Sequence, residues 1–149
     1  MRIDLVVHPV EKDGHKYLRI KSEVEICLFL SSTTAKIRKL NALWDTGATN
    51  TCISMDLAIA MGIPLGKETV MQLGTVNQPS RYCSFYLRFP DEHYILVKNG
   101  VAVPGSKNKL VIGMDLMRLG TTTITPNEQE GVCFNFEISE TEFQNGVIQ

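Results

Sequence analysis

Residues 17–30 first alternate polar and apolar, as in Lys21-Ser22-Glu23-Val24-Glu25-Ile26, and then turn wholly apolar through Cys27-Leu28-Phe29-Leu30. A period of two predicts a strand passing from the surface into a core. Ser31-Ser32-Thr33-Thr34 reads as a turn, and a second strand is expected over about 35–44. The period changes at 54–61, where Leu57, Ala58 and Met61 share one helical face, Ser54 stands at the N-cap place, and Gly62 with Pro64 ends the run. Next, 70–74 and 82–89 flank the polar stretch 75–81, which predicts a hairpin with a long tip. A strand over 94–97, a turn at Asn99-Gly100, a short strand over 101–103 and a loop over 104–109 follow. Leu110-Val111-Ile112 enters Gly113, a second short helix is expected over 115–119, and 121–125 with 132–138 form a closing hairpin. Many short strands with one or two brief helices predict a mainly-β closed barrel or sandwich. The expected organisation is one domain over 1–138 and a polar tail over 139–149.

The bulk numbers fit that picture and remove some functions. With 44% apolar and 21% charged residues the chain can bury a real core. Fifteen basic against sixteen acidic residues leave a net charge of -1. Such a balance offers no electrostatic footprint for a phosphate backbone or an anionic membrane, so neither nucleic acid nor membrane is an expected partner. Apolar runs are only a few residues long, and the opening Met1-Arg2-Ile3-Asp4, with His8 and Pro9 soon after, does not read as a secretory leader. A cytoplasmic protein is expected. Cys27, Cys52, Cys83 and Cys133 are scattered without C-x-x-C spacing and lie in apolar or β-like contexts, so buried free thiols are expected. His8, His15 and His93 show no ligand spacing, and neither a structural metal nor a cofactor is expected.

The stretch that carries chemistry is Leu43-Trp44-Asp45-Thr46-Gly47-Ala48-Thr49, where an apolar strand delivers a carboxylate onto a turn of small residues. Gly47 lets a backbone N–H approach the Asp45 carboxylate, Thr46 offers a hydroxyl that can bond outside its own loop, and Ala48 keeps the space above the acid open. Alone, Asp-Thr-Gly is a weak signal and is more often an ordinary turn in which the acid caps its own backbone. Its context is more specific: an apolar strand before it, a capped helix about ten residues after it, and some sixty residues later the run Val111-Ile112-Gly113.

Three segments resemble the retropepsin-like aspartic proteases, in particular their bacterial members. Ala42-Leu43-Trp44-Asp45-Thr46-Gly47-Ala48-Thr49 with Cys52-Ile53-Ser54 is similar to the family's active-site loop and following helix. Leu110-Val111-Ile112-Gly113-Met114-Asp115-Leu116-Met117 is similar to the element that passes beneath that loop, and the hairpin centred on Asn77 stands where the family has its flap. The resemblance implies an acid-protease barrel with one lobe per chain and an aspartic endopeptidase acting on peptides or proteins. It also implies a homodimer in which Asp45 of each copy supplies one of two catalytic carboxylates, supported by Thr46, Gly47 and Ala48. Asp115 lacks a following glycine or hydroxyl residue and reads as the cap or first-turn acid of its helix.

The flap departs from the family pattern. Gly74 is offset and the tip reads Thr75-Val76-Asn77-Gln78-Pro79-Ser80, so Gly74, Thr75, Val76, Asn77 and Gln78 are the candidate substrate-covering residues. Asn77 and Gln78 suit hydrogen bonding to a peptide backbone and equally suit a plain polar hairpin tip. Trp44 reads as core packing beside the loop. An alternative function keeps the fold as a peptide-holding adaptor that cuts little. Residues 3–7 and 132–138 are candidates either for a dimer interface or for an internal sheet.

Overall fold

The computed structural model describes residues 1–28 and 37–139. The turn expected at 31–34, the chain ends on either side of it and residues 140–149 of the tail lie outside the described residues.

Alternation along the chain becomes a ring of paired strands. The ring is built from β4 (Lys21–Cys27), β5 (Ile37–Trp44), β6 (Cys52–Ser54), β8 (Val76–Arg88), β9 (Tyr94–Val103) and β10 (Leu110–Ile112). Their order is β4-β5-β10-β6-β9-β8, and β8 pairs back onto β4 through Glu25–Arg88, Ile26–Leu87 and Cys27–Tyr86, so the hydrogen bonding runs round a six-stranded ring. Residues 22, 24 and 26 of β4 are buried while 21 and 23 are exposed, the one-face burial that a period of two demands. Ile26, Ile53, Phe85, Leu87, Leu110 and Ile112 fill the interior with 1% exposure or less.

Two helices close the gaps. The first, α1 (Met55–Met61), is capped by the Ser54 side chain, which accepts the Leu57 N–H at 3.3 Å, and it buries Leu57, Ala58 and Met61, the face read from sequence. Gly62 ends it with φ +71. The second, α2 (Met114–Met117), begins directly after β10.

The terminal strands pair with each other. β1 (Arg2–Val7) lies antiparallel to β12 (Val132–Glu137), which also pairs with β11 (Thr121–Pro126), so both terminal segments take part in one three-stranded sheet within the chain. Its inner face presents Phe134 and Phe136 to Trp44, with ring centroids 5.1 and 4.9 Å away. The indole N–H of Trp44 donates to Ser22 Oγ at 2.8 Å, so its one polar group is satisfied inside the core.

Three expectations are corrected. The flap hairpin is not a long polar tip on short arms: β7 (Leu65–Leu73) and β8 form arms that meet at a two-residue turn, Gly74-Thr75. Gly74 takes φ +61 at the first turn position, where a two-residue hairpin turn of this kind favours glycine. The polar residues 76–80 are strand because β8 pairs with β9 only from Arg81 onward, so the projecting ribbon meets solvent and tolerates Pro79 at an edge. Asn99-Gly100 is not a turn either, since β9 runs straight through it. Glycine is needed there for space: a Cβ would lie 2.7 Å from Phe85 Cε1 and 3.2 Å from the Cys83 carbonyl. Finally, residues 17–30 do not start as one strand, because β3 (His15–Tyr17) pairs with β2 (Val10–Lys12) around Asp13-Gly14, and β4 begins only at Lys21.

Phe136 is fully buried against Trp44. Phe136→Ala should therefore lower unfolding stability by about 3–5 kcal/mol, measured by urea denaturation. A loss of only a few tenths would mean that the three-stranded sheet is not fastened to the ring through this contact.

Candidate active site

β5 and β6 are joined by the loop that carries Asp45, yet they do not pair with each other, because β10 lies between them. It runs parallel to β5 through Val111–Leu43 and Ile112–Trp44, and antiparallel to β6 through Leu110–Ile53 and Val111–Cys52. The loop must therefore arch over the end of β10. Its first residue is fixed at once: the Asp45 N–H donates to the Ile112 carbonyl at 3.0 Å, while the Trp44 N–H donates to the Ile20 carbonyl at 2.9 Å.

Within the loop, the Gly47 N–H donates to Asp45 Oδ1 at 2.8 Å and the Ala48 N–H to the Asp45 carbonyl at 3.2 Å. A Cβ on Gly47 would stand 3.1 Å from that same carboxylate oxygen. Asp45 and Thr46 are both exposed, and among the described residues Thr46 Oγ1 has no hydrogen-bond partner. One carboxylate oxygen is thus held by backbone, and the acid faces outward.

The far half of the loop is clamped from below. Met114 N–H donates to the Ala48 carbonyl at 2.8 Å and Asp115 N–H to the Thr49 carbonyl at 3.1 Å. Asp115 returns the tie through its carboxylate, which accepts Thr51 N–H at 2.9 Å, the Thr51 hydroxyl at 2.7 Å and Leu116 N–H at 2.9 Å. Thr51 is fully buried, and its hydroxyl in turn accepts Gly113 N–H at 3.2 Å. A Cβ on Gly113 would meet the Asn50 carbonyl carbon and oxygen at 2.6 Å and the Ala48 carbonyl oxygen at 2.8 Å. Only glycine lets the two segments approach this closely.

Above the loop a cleft of about 520 Å³ is walled by Asp45, Gly47, Ala48, Asn50, Val103, Asn108 and Val111, and covered by residues 70–74 of β7 and its turn. Of the sequence candidates, Asp45, Gly47, Ala48, Gly74 and Val111 meet in this cleft. Thr46 stands beside it, Ile112 is core, and Gly113 lies beneath the loop. Thr75, Val76, Asn77 and Gln78 do not line it; the arm that does is β7, through Val70, Met71, Gln72 and Leu73. Sequence reading missed Met71 and Leu73 by looking for function at the polar tip. The available signal was apolar residues on an arm that projects away from the core. Asp115 was read as the acid of its helix, which it is, but its tie to Thr51 needs the fold to bring residues 64 apart together.

The thiols also need one correction. Cys27, Cys52 and Cys83 are buried and free, whereas Cys133 is exposed because it points away from the Phe134 and Phe136 face of β12. Cys52 lines the cleft and donates to the Asn50 carbonyl at 3.2 Å. Burial first, then the nearby Asp115, Cys83 and Asp45, push its thiol up to about 12, and burial pushes Cys83 up to about 11. Both stay neutral thiols at ordinary pH. Among the described residues no group of three histidine, cysteine or acidic side chains could hold a metal ion.

The architecture is similar to that of a retropepsin-like aspartic protease from Rickettsia conorii, with a TM-score of 0.53 at 14% sequence identity over 93% of this chain and 95% of that one. Another similar structure is EIAV protease complexed with the inhibitor HBY-793, with a TM-score of 0.47 at 17% identity over 73% of this chain and 92% of that one. No protein-family model matches the sequence, and no curated protein matches it. The fold is retropepsin-like. Among the described residues no helix is long and apolar enough to cross a membrane.

Two outcomes follow from this geometry. Gly113→Ala should cost about 1–3 kcal/mol in denaturant unfolding and speed amide exchange over residues 45–51, because the added methyl must push the loop off β10. Wild-type exchange in that variant would mean the clamp does not hold the loop. Labelling the native protein with a disulfide reagent at pH 8 should modify Cys133 rapidly and Cys27, Cys52 and Cys83 only after denaturation, read by mass spectrometry of the labelled peptides.

Proposed function

We propose that this chain is an aspartic endopeptidase that acts as a homodimer, with Asp45 of each copy forming one catalytic pair. The observation that carries the reading is an exposed Asp45 carboxylate, fixed on one oxygen by Gly47 N–H, at the wall of a cleft covered by a hairpin. A retropepsin-like fold under that arrangement supports the same reading. The requirement for a second copy comes from the chemistry and from Asp115. The carboxylate of Asp115 is committed to three hydrogen bonds under the loop, so it does not serve as the partner acid, and a second Asp45 does. The unpartnered Thr46 hydroxyl beside Asp45 suits a bond to the facing loop.

Two carboxylates within hydrogen-bond reach cannot both ionise cheaply, so they share one proton, the behaviour that defines aspartic-protease pairs. A water bridging them gives one proton to the ionised carboxylate as its oxygen bonds to the scissile carbonyl carbon. The protonated carboxylate gives its proton to the carbonyl oxygen, which leaves a tetrahedral diol. Collapse of the diol breaks the C–N bond: the carboxylate that took the water's proton passes it to the departing amine, and the other carboxylate takes back the proton of one diol hydroxyl as the carbonyl reforms. The pair ends as it began and titrates as one unit. β7 lies over Asp45 in the cleft and would exclude bulk water during these transfers. The substrate in this reading is an extended peptide held in the cleft, with Met71 and Leu73 offering apolar contacts to its side chains.

Asp45→Asn should abolish cleavage of a mixed peptide library, read as new termini by mass spectrometry, while leaving the unfolding midpoint and sedimentation unchanged. Asparagine keeps an acceptor for Gly47 N–H but takes no proton from water. Wild-type cleavage should also be blocked by pepstatin. Cleavage that survives Asp45→Asn would place the chemistry elsewhere.

A further inference from the structure

The flap hairpin leaves the ring over a short stretch of β8, residues 81–84, and a β-bulge flanks that stretch on each side. Toward β7, Tyr82 alone faces Gly66 and Lys67, because the register steps from Leu65–Cys83 to Glu68–Arg81. Toward β9, Ser84 alone faces Lys98 and Asn99, because the register steps from Cys83–Gly100 to Phe85–Val97. A bulge takes backbone groups out of the ladder and bends the strand that carries it. Here the carbonyls of the bulged residues are taken by side chains. Arg81 Nε donates to the Gly66 carbonyl at 2.7 Å, and the Ser84 hydroxyl donates to the Lys98 carbonyl at 2.5 Å. The Asn99 carbonyl accepts Asn50 Nδ2 at 3.3 Å, and Asn50 belongs to the Asp45 loop and walls the cleft. Side-chain hydrogen bonds thus join the base of the hairpin to β7 on one side and, through the Lys98-Asn99 bulge, to the Asp45 loop on the other.

Past this stretch the ladder gives the hairpin no other support: among the described residues β7 pairs only with β8, and residues 76–80 of β8 pair only with β7. The bend at its base therefore sets its height over the cleft. At about 3.3 Å per residue, Gln78, the partner of Met71, stands about 10 Å from Arg81, and Val76 at the tip about 17 Å. On such lever arms a change of about 10° moves Met71 by roughly 2 Å and the tip by roughly 3 Å. A gap of only about 1 Å already forfeits up to about half of a van der Waals contact. We infer, on the endopeptidase reading above, that Arg81 and Ser84 are positioning residues. By holding the two bulges they fix the angle at which the hairpin leaves the ring, and with it the distance of Met71 and Leu73 from Asp45. Neither side chain lines the cleft, so both act through β7. Ser84 is exposed and Arg81 half-buried, positions at which a single hydrogen bond contributes little to global stability.

The test uses the full chain and three variants: Arg81→Met, which keeps the stem and removes the donor, Arg81→Lys, which keeps a cationic donor, and Ser84→Ala. Circular dichroism and urea unfolding control for fold, and the unfolding midpoints should match the wild type. Arg81→Met and Ser84→Ala should each raise KM for a cleavable peptide about fivefold or more while kcat stays within about twofold and its pH profile does not shift. Both should speed amide exchange over residues 66–80, and Arg81→Lys should restore most of the KM. Wild-type KM in both Arg81→Met and Ser84→Ala would overturn the inference and leave the paired-Asp45 reading standing. A fall in kcat with KM and exchange unchanged would put these residues on the acid pair rather than on its cover, and would likewise overturn it. If the wild type cuts no peptide, the endopeptidase reading fails, and the same comparison is made on the dissociation constant of pepstatin. A rise in both variants then supports the positioning role, and equal constants overturn it. A wild type that neither cuts peptide nor binds pepstatin would overturn both.

Discussion

The close approach of Gly113 to the Asp45 loop is the constraint on which the site depends. A seven-residue loop of small and polar residues has little packing of its own, and fixing its backbone costs about 1–2 kcal/mol per residue in lost freedom. Hydrogen bonds from one short segment offset part of that cost. Ile112 accepts from Asp45, Met114 and Asp115 donate to Ala48 and Thr49, and the Asp115 carboxylate takes both donors of Thr51. All these bonds require residues 112–115 to pass directly beneath the loop, and the 2.6 Å clearance at Gly113 admits no side chain. Once the loop is held this way, Asp45 has one oxygen fixed and the carboxylate presented outward.

Topology makes the clamp available. Placing β10 between β5 and β6 separates two strands that are neighbours in sequence, and the loop joining them has to cross the end of the intervening strand. The ring is rigid at that point because Ile112, Leu110 and Ile53 are buried in its interior. Trp44, the residue before the acid, is packed against Phe134 and Phe136 and hydrogen-bonded to Ser22. Loop position is thus set from two sides, by core packing before Asp45 and by backbone hydrogen bonds after it. Such support distinguishes a fixed carboxylate from an ordinary exposed one.

Much of this was legible in the sequence, and the failures have physical causes. Period-two alternation marked the run that became β4, strands were expected close to where β5, β11 and β12 lie, and the Ser54, Gly62 and Pro64 signals bounded α1 to within a residue. Asp45-Thr46-Gly47 stood out because an apolar strand ending in a small-residue acidic turn is unusual. The flap arms were misread because polarity was taken as loop, when a ribbon with both faces in solvent is polar and still strand. Asn99-Gly100 carries a turn signal, but its glycine answers a steric demand from Phe85, which lies 15 residues away in sequence. The Thr51–Asp115 tie was beyond reach for the same reason, since pairings across the ring are set by tertiary register rather than by any local pattern. The ribbon at Asp13-Gly14 did have a local signal, a turn dipeptide between short β-prone runs, that was weaker than the alternation following it.

The central claim is that two Asp45 carboxylates act as one group, and it is tested most directly by covalently linked tandem dimers. Three are compared on one cleavable peptide across acidic to neutral pH, each first shown to be folded and correctly paired: wild type, Asp45→Asn in one copy, and Asp45→Asn in both. If the pair shares one proton and one water, the single and double variants should both fall to background, because either loss removes the only site. Half the wild-type rate in the single variant would mean that each chain cuts independently, and would contradict the account.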